Sequence, residues 1–197
     1  MFENFQAYLK QNVGLTEQQF QQLAPILKSK TVGKGTFLLN EGEVCHHAFF
    51  VEKGLLRSFS IDESGKEHVI QFAPENWIIS DRSSMYFNNP SDFFIEAIEE
   101  TRMVMIGVDF TDTASEMGPS FRQYNEKILH NHILHLQKRV NLLLGATAEK
   151  RYLDFIQLYP DLMLRVPQWM IASYLGITPE SLSRVRKELA GRNFKPL

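Results

Sequence analysis

The chain has 197 residues, 44% of them hydrophobic, 12% aromatic and 22% charged. This excludes disorder as the main state, because there is ample apolar surface to bury; no apolar run reaches the roughly 18–20 residues that a membrane-crossing helix needs. The net charge of -2 is unevenly spread: from Met163 on, Arg165, Arg184, Arg186, Lys187, Arg192 and Lys195 are opposed only by Glu180 and Glu188, a basic end on an acidic body, which suits contact with a polyanion. A lone cysteine, Cys45, excludes an internal disulfide and cysteine-rich zinc or iron–sulfur sites. The start, Met1-Phe2-Glu3-Asn4-Phe5, has neither the basic residues nor the apolar run of a signal peptide. The expectation is a cytoplasmic protein.

Residues 1–28 place Phe2, Phe5, Leu9, Phe20, Leu23, Ile26 and Leu27 at helical spacing. From about Thr31 the period becomes that of strands. Thr36–Leu39, Ala48–Val51, Leu55–Ile61, His68–Phe72, Ile95–Ile98 and Arg102–Ile106 are β-prone. Gly33, Gly35, Gly42, Gly54, Gly65, Pro74 and Asn88-Asn89-Pro90 mark turns between them. Short strands at regular spacing suggest a β-sandwich, roll or barrel, ending near Val108. Ser120–Leu144 then lacks both Gly and Pro. Its apolar residues, Leu129, Ile133, Leu136, Val140 and Leu143 among them, repeat every seven positions and make a stripe too wide for one contact surface. One edge is expected to pack on the β-domain, and those five residues on a second copy of the helix. Gly145 ends the pattern. Thr147 caps a further helix running through Tyr159, and Pro160 stops it.

The segment Gln168–Leu189 reads as helix, turn, helix. Gly176 suits the left-handed position that closes the first helix. Thr178 can cap the second, and Pro179 fits its first turn. Ala172 is small where two helices would cross. At about 100° per residue, Leu182, Val185 and Leu189 fall on one side of the second helix, and Glu180, Ser183, Arg184 and Lys187 on the other. Such a face can enter a major groove about 12 Å wide. Arg184 can donate twice to guanine, and Glu180 can accept from the cytosine amino group. Ser183 and Lys187 suit phosphate or neighbouring bases, with Thr178 at the helix start and Arg186 on the flank.

These residues resemble the helix–turn–helix of the cyclic-AMP receptor protein / FNR (Crp/Fnr) superfamily of bacterial transcription regulators, most closely in Ile171–Ile177 and Glu180–Arg184. Lys34–Glu43 and Phe49–Arg57 are similar to that family's early β-roll turns. The resemblance covers residues 30 to 190. It implies an α+β chain: an N-terminal cyclic-nucleotide-binding-type β-roll (a double-stranded β-helix) over 1–118, a dimerisation helix over 119–145, and a helix–turn–helix domain over 146–197. It also implies that Glu180 and Arg184 read bases, and that RNA polymerase is a partner. Two departures matter. Where cyclic-nucleotide binders carry Gly-Glu and Arg-Ser, this chain has Ser80-Asp81 and Ser91-Asp92. Losing the bidentate guanidinium and gaining a carboxylate weakens binding of a cyclic phosphodiester. The effector pocket is expected around Ser80, Asp81, Arg82, Ser91 and Phe93, with no cofactor and no response to cyclic AMP. The second departure is at the end: Gly191–Leu197 are too few for a full hairpin wing.

Other chemistry is weaker. The adjacent His46 and His47 would point to opposite faces of a strand and so could not share a metal. His132 and His135 share a helix face, which suits an interface as well as a ligand pair. No nucleophile triad, phosphate-binding loop or paired-carboxylate motif is present. The expected function is therefore not enzymatic: a homodimeric, sequence-specific regulator that binds double-stranded DNA. The alternative is a small-molecule sensor whose helical end engages protein.

Overall fold

Phe5, Leu9 and Val13 recur every four residues, and this spacing gives α1 (Glu3–Val13) one buried face in the computed structural model, which describes residues 2–193. The start of α1 is fixed by Glu52, a buried carboxylate that accepts from the amides of Phe5 at 2.9 Å and Asn4 at 3.3 Å. A negative charge there complements the helix dipole. Thr16 and Gln19 cap each other to open α2 (Glu17–Leu23), and a 3-10 turn (Ala24–Ile26) follows.

Eight strands come next: β1 (Lys28–Val32), β2 (Phe37–Leu39), β3 (Ala48–Lys53), β4 (Leu56–Ile61), β5 (Glu67–Ala73), β6 (Ile78–Ile79), β7 (Phe94–Ala97) and β8 (Thr101–Ile106). They form two four-stranded sheets, in the orders β1-β8-β3-β6 and β2-β7-β4-β5. Every pairing is antiparallel. Leu39, Val51, Leu56, Ile95 and Met103 fill the space between the sheets. Helix α3 (Arg82–Phe87) interrupts the second half, with Asp81 as its cap.

The expected strands are present within a residue or two, with three corrections. The strand period begins at Lys28 rather than Thr31, because β1 is an edge strand held by its register with β8, from Lys28↔Met105 to Val32↔Thr101; its own sequence is polar. The short β6 and helix α3 carry no periodic signal, whereas β8 stops at Ile106, where its β-prone run ends. His46 and His47 lie in the loop before β3, so alternation along a strand does not govern where they point.

Helix α4 (Val108–Glu116) leads into α5 (Pro119–Gly145), 27 residues long. Phe121 packs on Phe110, and the Tyr124 hydroxyl donates to that of Tyr8 at 2.5 Å. Beyond this anchored start, Leu129, Ile133, Leu136, Val140 and Leu143 are all exposed. Helices α6 (Ala148–Leu158), α7 (Leu162–Arg165), α8 (Gln168–Leu175) and α9 (Pro179–Asn193) complete the chain. Thr147 caps α6, as its sequence predicts. The wing expected to be short or absent falls on residues 191–197, of which 194–197 lie outside the described residues.

Candidate nucleic-acid interface and effector cleft

The turn between α8 and α9 is built as its residues require. Gly176 has φ 64° and ψ 38°, and its amide closes α8 on the carbonyls of Ala172 and Ser173. The Thr178 hydroxyl accepts from the amide of Ser181 at 3.2 Å. Leu182 and Val185 are buried beside Ile171, Ala172 and Leu175, with Leu189 packed against them. This fixes the rotation of α9. Thr178, Glu180, Ser183, Arg184 and Lys187 are consequently exposed, and Arg186 is half-buried on the flank. The Glu180 carboxyl is held below its ordinary pKa by its own amide and by the Thr178 hydroxyl, so it is an anion at neutral pH and can only accept hydrogen bonds.

Not every basic residue of this end is available to a polyanion. Arg165 is neutralised by the β-roll: its guanidinium donates to Glu75 at 2.9 and 3.0 Å, to Glu99 at 2.5 Å and to the carbonyl of Gly54 at 3.0 Å. Arg192 pairs with Glu149 at 2.7 Å. Arg184 and Lys187 form no ion pair among the described residues. The local charge excess is therefore smaller, and more focused on α9, than a count along the chain implies.

A dense set of contacts ties this end to the β-roll. The Ser173 hydroxyl donates to the carbonyl of Glu67 and accepts from the amide of Val69, at 2.8 and 3.0 Å. The Tyr159 hydroxyl donates to the carbonyl of Phe72 at 3.2 Å. Arg139 donates to the carbonyls of Val69 and Tyr174 and lies 3.7 Å above the Tyr174 ring. Buried Arg57, paired with Glu67 and Glu96, has its guanidinium 5.3 Å from the Trp169 ring. Leu55, Phe59, Val69 and Phe72 of the roll share one apolar cluster with Phe155, Leu162, Ile171 and Leu182, so the core does not divide at residues 118 and 146. None of these ties was legible locally, since each partner lies tens of residues away in sequence.

Beside this contact opens a cleft of about 740 Å³. Its walls come from the roll (Trp77, Phe93), from α5, and from Phe155, Tyr159 and Tyr174. Ser80, Asp81, Arg82 and Phe93 line it as expected, but Ser91 does not. Ser91 is 2% exposed, and its hydroxyl donates to Asp81 at 2.7 Å. The other Asp81 oxygen accepts from the amide of Ser84 at 3.0 Å. Both carboxylate oxygens thus hold the chain itself. Asp92 is solvent-exposed and off the cleft wall. Cys45 is buried, and desolvation pushes its thiol pKa up, which makes it a poor thiolate nucleophile.

Comparison with known proteins agrees with this architecture. Residues 29–113 match the cyclic nucleotide-binding domain family. The anaerobic regulatory protein of Pasteurella multocida is 27% identical over 87% of this chain and 66% of its own length; the chain thus spans about two thirds of that relative. FixK2 from Bradyrhizobium japonicum superposes with a TM-score of 0.74 at 18% identity, covering 87% of this chain and 89% of its own. A crp/fnr-family protein from Eubacterium rectale gives 0.69 at 18% identity, over 97% and 91%. With its β-roll, long helix and helix–turn–helix in that order, the chain has the fold of the Crp/Fnr-type structures.

Proposed function

We propose that the protein is a sequence-specific DNA-binding transcription regulator, not an enzyme, and that it works as a homodimer. One observation carries the reading: α9 buries Leu182 and Val185 and thereby turns Glu180, Ser183, Arg184 and Lys187 outward together. An exposed helical face with one anion and two cations can take up base edges and phosphates in a major groove. The relatives' names, an anaerobic regulatory protein and a fumarate and nitrate reduction regulatory protein among them, support a regulatory role. The exposed stripe Leu129, Ile133, Leu136, Val140 and Leu143 suits a second copy of α5, which would present two recognition helices about one DNA turn apart. RNA polymerase is the further partner that the family likeness suggests. Among the described residues no helix is long and apolar enough to cross a membrane.

Cyclic AMP does not suit the cleft. Neither Ser91 nor Asp92 lines it, so the loop offers no guanidinium at the position where cyclic-nucleotide binders hold phosphate. Calorimetry with millimolar cyclic AMP should register no binding, and micromolar affinity would contradict this reading. The DNA reading is tested by anisotropy on duplexes selected from a random pool. Affinity should fall steeply with salt, with a log–log slope of about -3 or steeper for several phosphate contacts. Salt-insensitive or absent DNA binding would favour the alternative, a sensor whose helical end engages protein.

A further inference from the structure

The exposed stripe of α5 has a charged end. Leu129, Ile133, Leu136, Val140 and Leu143 alternate in steps of four and three residues, and each is more than a third exposed. Continued toward the start of the helix, the same steps reach Glu126 and then Arg122. Both are exposed. At about 100° per residue, Arg122 lies about 20° and Glu126 about 60° from the centre of the stripe, whereas the anchoring Phe121 and Tyr124 centre about 110° away. At the roughly 3.5 residues per turn of a two-stranded supercoil, the charged and the apolar residues fall on the same two rows.

Neither charge is used within the chain. Arg122 and Glu126 make no ion pair and no side-chain hydrogen bond among the described residues, although they stand one turn apart on the same face. Gln123 and Asn125 on the flanks are uncharged. A seam that is apolar for about four turns and then carries one anion and one cation is complementary to itself when two copies run parallel. Each rung then meets its own counterpart. Glu126 would face Glu126, and the repulsion is relieved when each carboxylate takes the guanidinium one rung away in the other chain. That step is four residues, about 6 Å along the axis, which a long arginine side chain spans. In an antiparallel pair centred on the apolar rungs, position 122 would face position 150, and position 126 would face position 146. Both lie past the end of α5 at Gly145, and the charges would not meet each other.

We infer that Arg122 and Glu126 form a reciprocal clasp at the N-terminal end of the dimer seam. Arg122 of each chain holds the partner's Glu126, so the partner that α5 fits is a second copy of this chain, parallel and in register. This rests on the reading of α5 as the dimer helix. The apolar rungs supply the attraction, but alone they would also fit an antiparallel or shifted copy. An exposed ion pair adds little to affinity. The clasp acts on the choice of partner and register, because a mismatched seam brings like charges together.

The test is sedimentation equilibrium on the full chain at low salt, with native mass spectrometry of mixtures in which one variant is isotope-labelled. Arg122→Glu and Glu126→Arg each leave two like charges at this end of every chain. Each alone should weaken self-association about tenfold or more, with unchanged circular dichroism. Mixed in equal amounts, the two variants should pair with each other in preference to themselves. The double reversal, Arg122→Glu with Glu126→Arg, should dimerise within about threefold of wild type. Only contact between chains gives the mixed preference, since mixing cannot restore an ion pair within one helix. Random pairing in the mixture, with wild type dimeric and Ile133→Asp monomeric, would overturn the clasp and leave the dimer reading standing. A monomeric wild type would overturn both.

Discussion

Gly54 sits where three requirements meet. Its φ is 105°, its amide donates to Glu75 and its carbonyl accepts from Arg165. A Cβ there would stand 2.5 Å from the Thr101 hydroxyl and 2.6 Å from the Glu100 carbonyl, one of them backbone that cannot move aside. Gly54→Ala should therefore cost about 3 kcal/mol or more through overpacking and strain. Gly65→Ala is the control: φ is 81° but the space is open, so only the left-handed penalty of about 1–2 kcal/mol applies. Urea denaturation of both variants checks this, and equal losses would refute the steric argument. At the same scale the helix–turn–helix was readable because its signals are local. Gly176, Thr178 and Pro179 act within a few residues of themselves, and the structure uses each as its chemistry demands. Ser91 was misplaced because spacing locates a residue along the chain but not which way its hydroxyl turns.

Among the elements, α5 is the least satisfied. Its first turns are anchored by Phe121 and Tyr124, while its apolar stripe stays largely exposed. An exposed stripe of this length marks an interaction surface. Ile133→Asp should convert a dimer into a monomer at micromolar concentration with no loss of helicity, seen by sedimentation equilibrium; an unchanged mass would place the dimer contact elsewhere. The seven-residue repeat made this helix legible within one residue at either end. Edge strand β1 and two-residue β6 were not, because tertiary pairing alone makes them strands. Helix α3 depends likewise on a cap, Asp81, whose role shows only once Ser84 and Ser91 gather round it.

For the whole molecule the decisive feature is how the C-terminal helices are fastened to the β-roll. The Arg165 partners lie 66 to 111 residues away, so no local pattern could announce them, and a charge count along the chain assigns Arg165 to a polyanion instead. Burial pushes the Glu75 carboxyl up, but hydrogen bonds from Arg165 and from the amides of Glu75 and Gly54 outweigh it and hold the pKa below its ordinary 4.5. A carboxyl held low adds stability that is complete above that value and is lost as pH falls through the lower folded one. Thermal melts should thus separate Glu75→Gln from wild type at pH 7, and the difference should shrink as pH falls below 4.5. Arg165→Ala removes the same tie and should cost about 1–3 kcal/mol, given hydrogen bonds to charged groups and partial exposure. It should also loosen the placement of α8 and α9, read as faster proteolysis between residues 145 and 168.

The measurement that bears most directly on the central claim is binding of Arg184→Ala to a duplex selected by the wild-type protein. The variant should keep its fold, lose about 1–3 kcal/mol on the selected site and relax its preference at one base pair of each half-site. If it binds that duplex as tightly and as selectively as wild type, α9 is not the element that reads DNA.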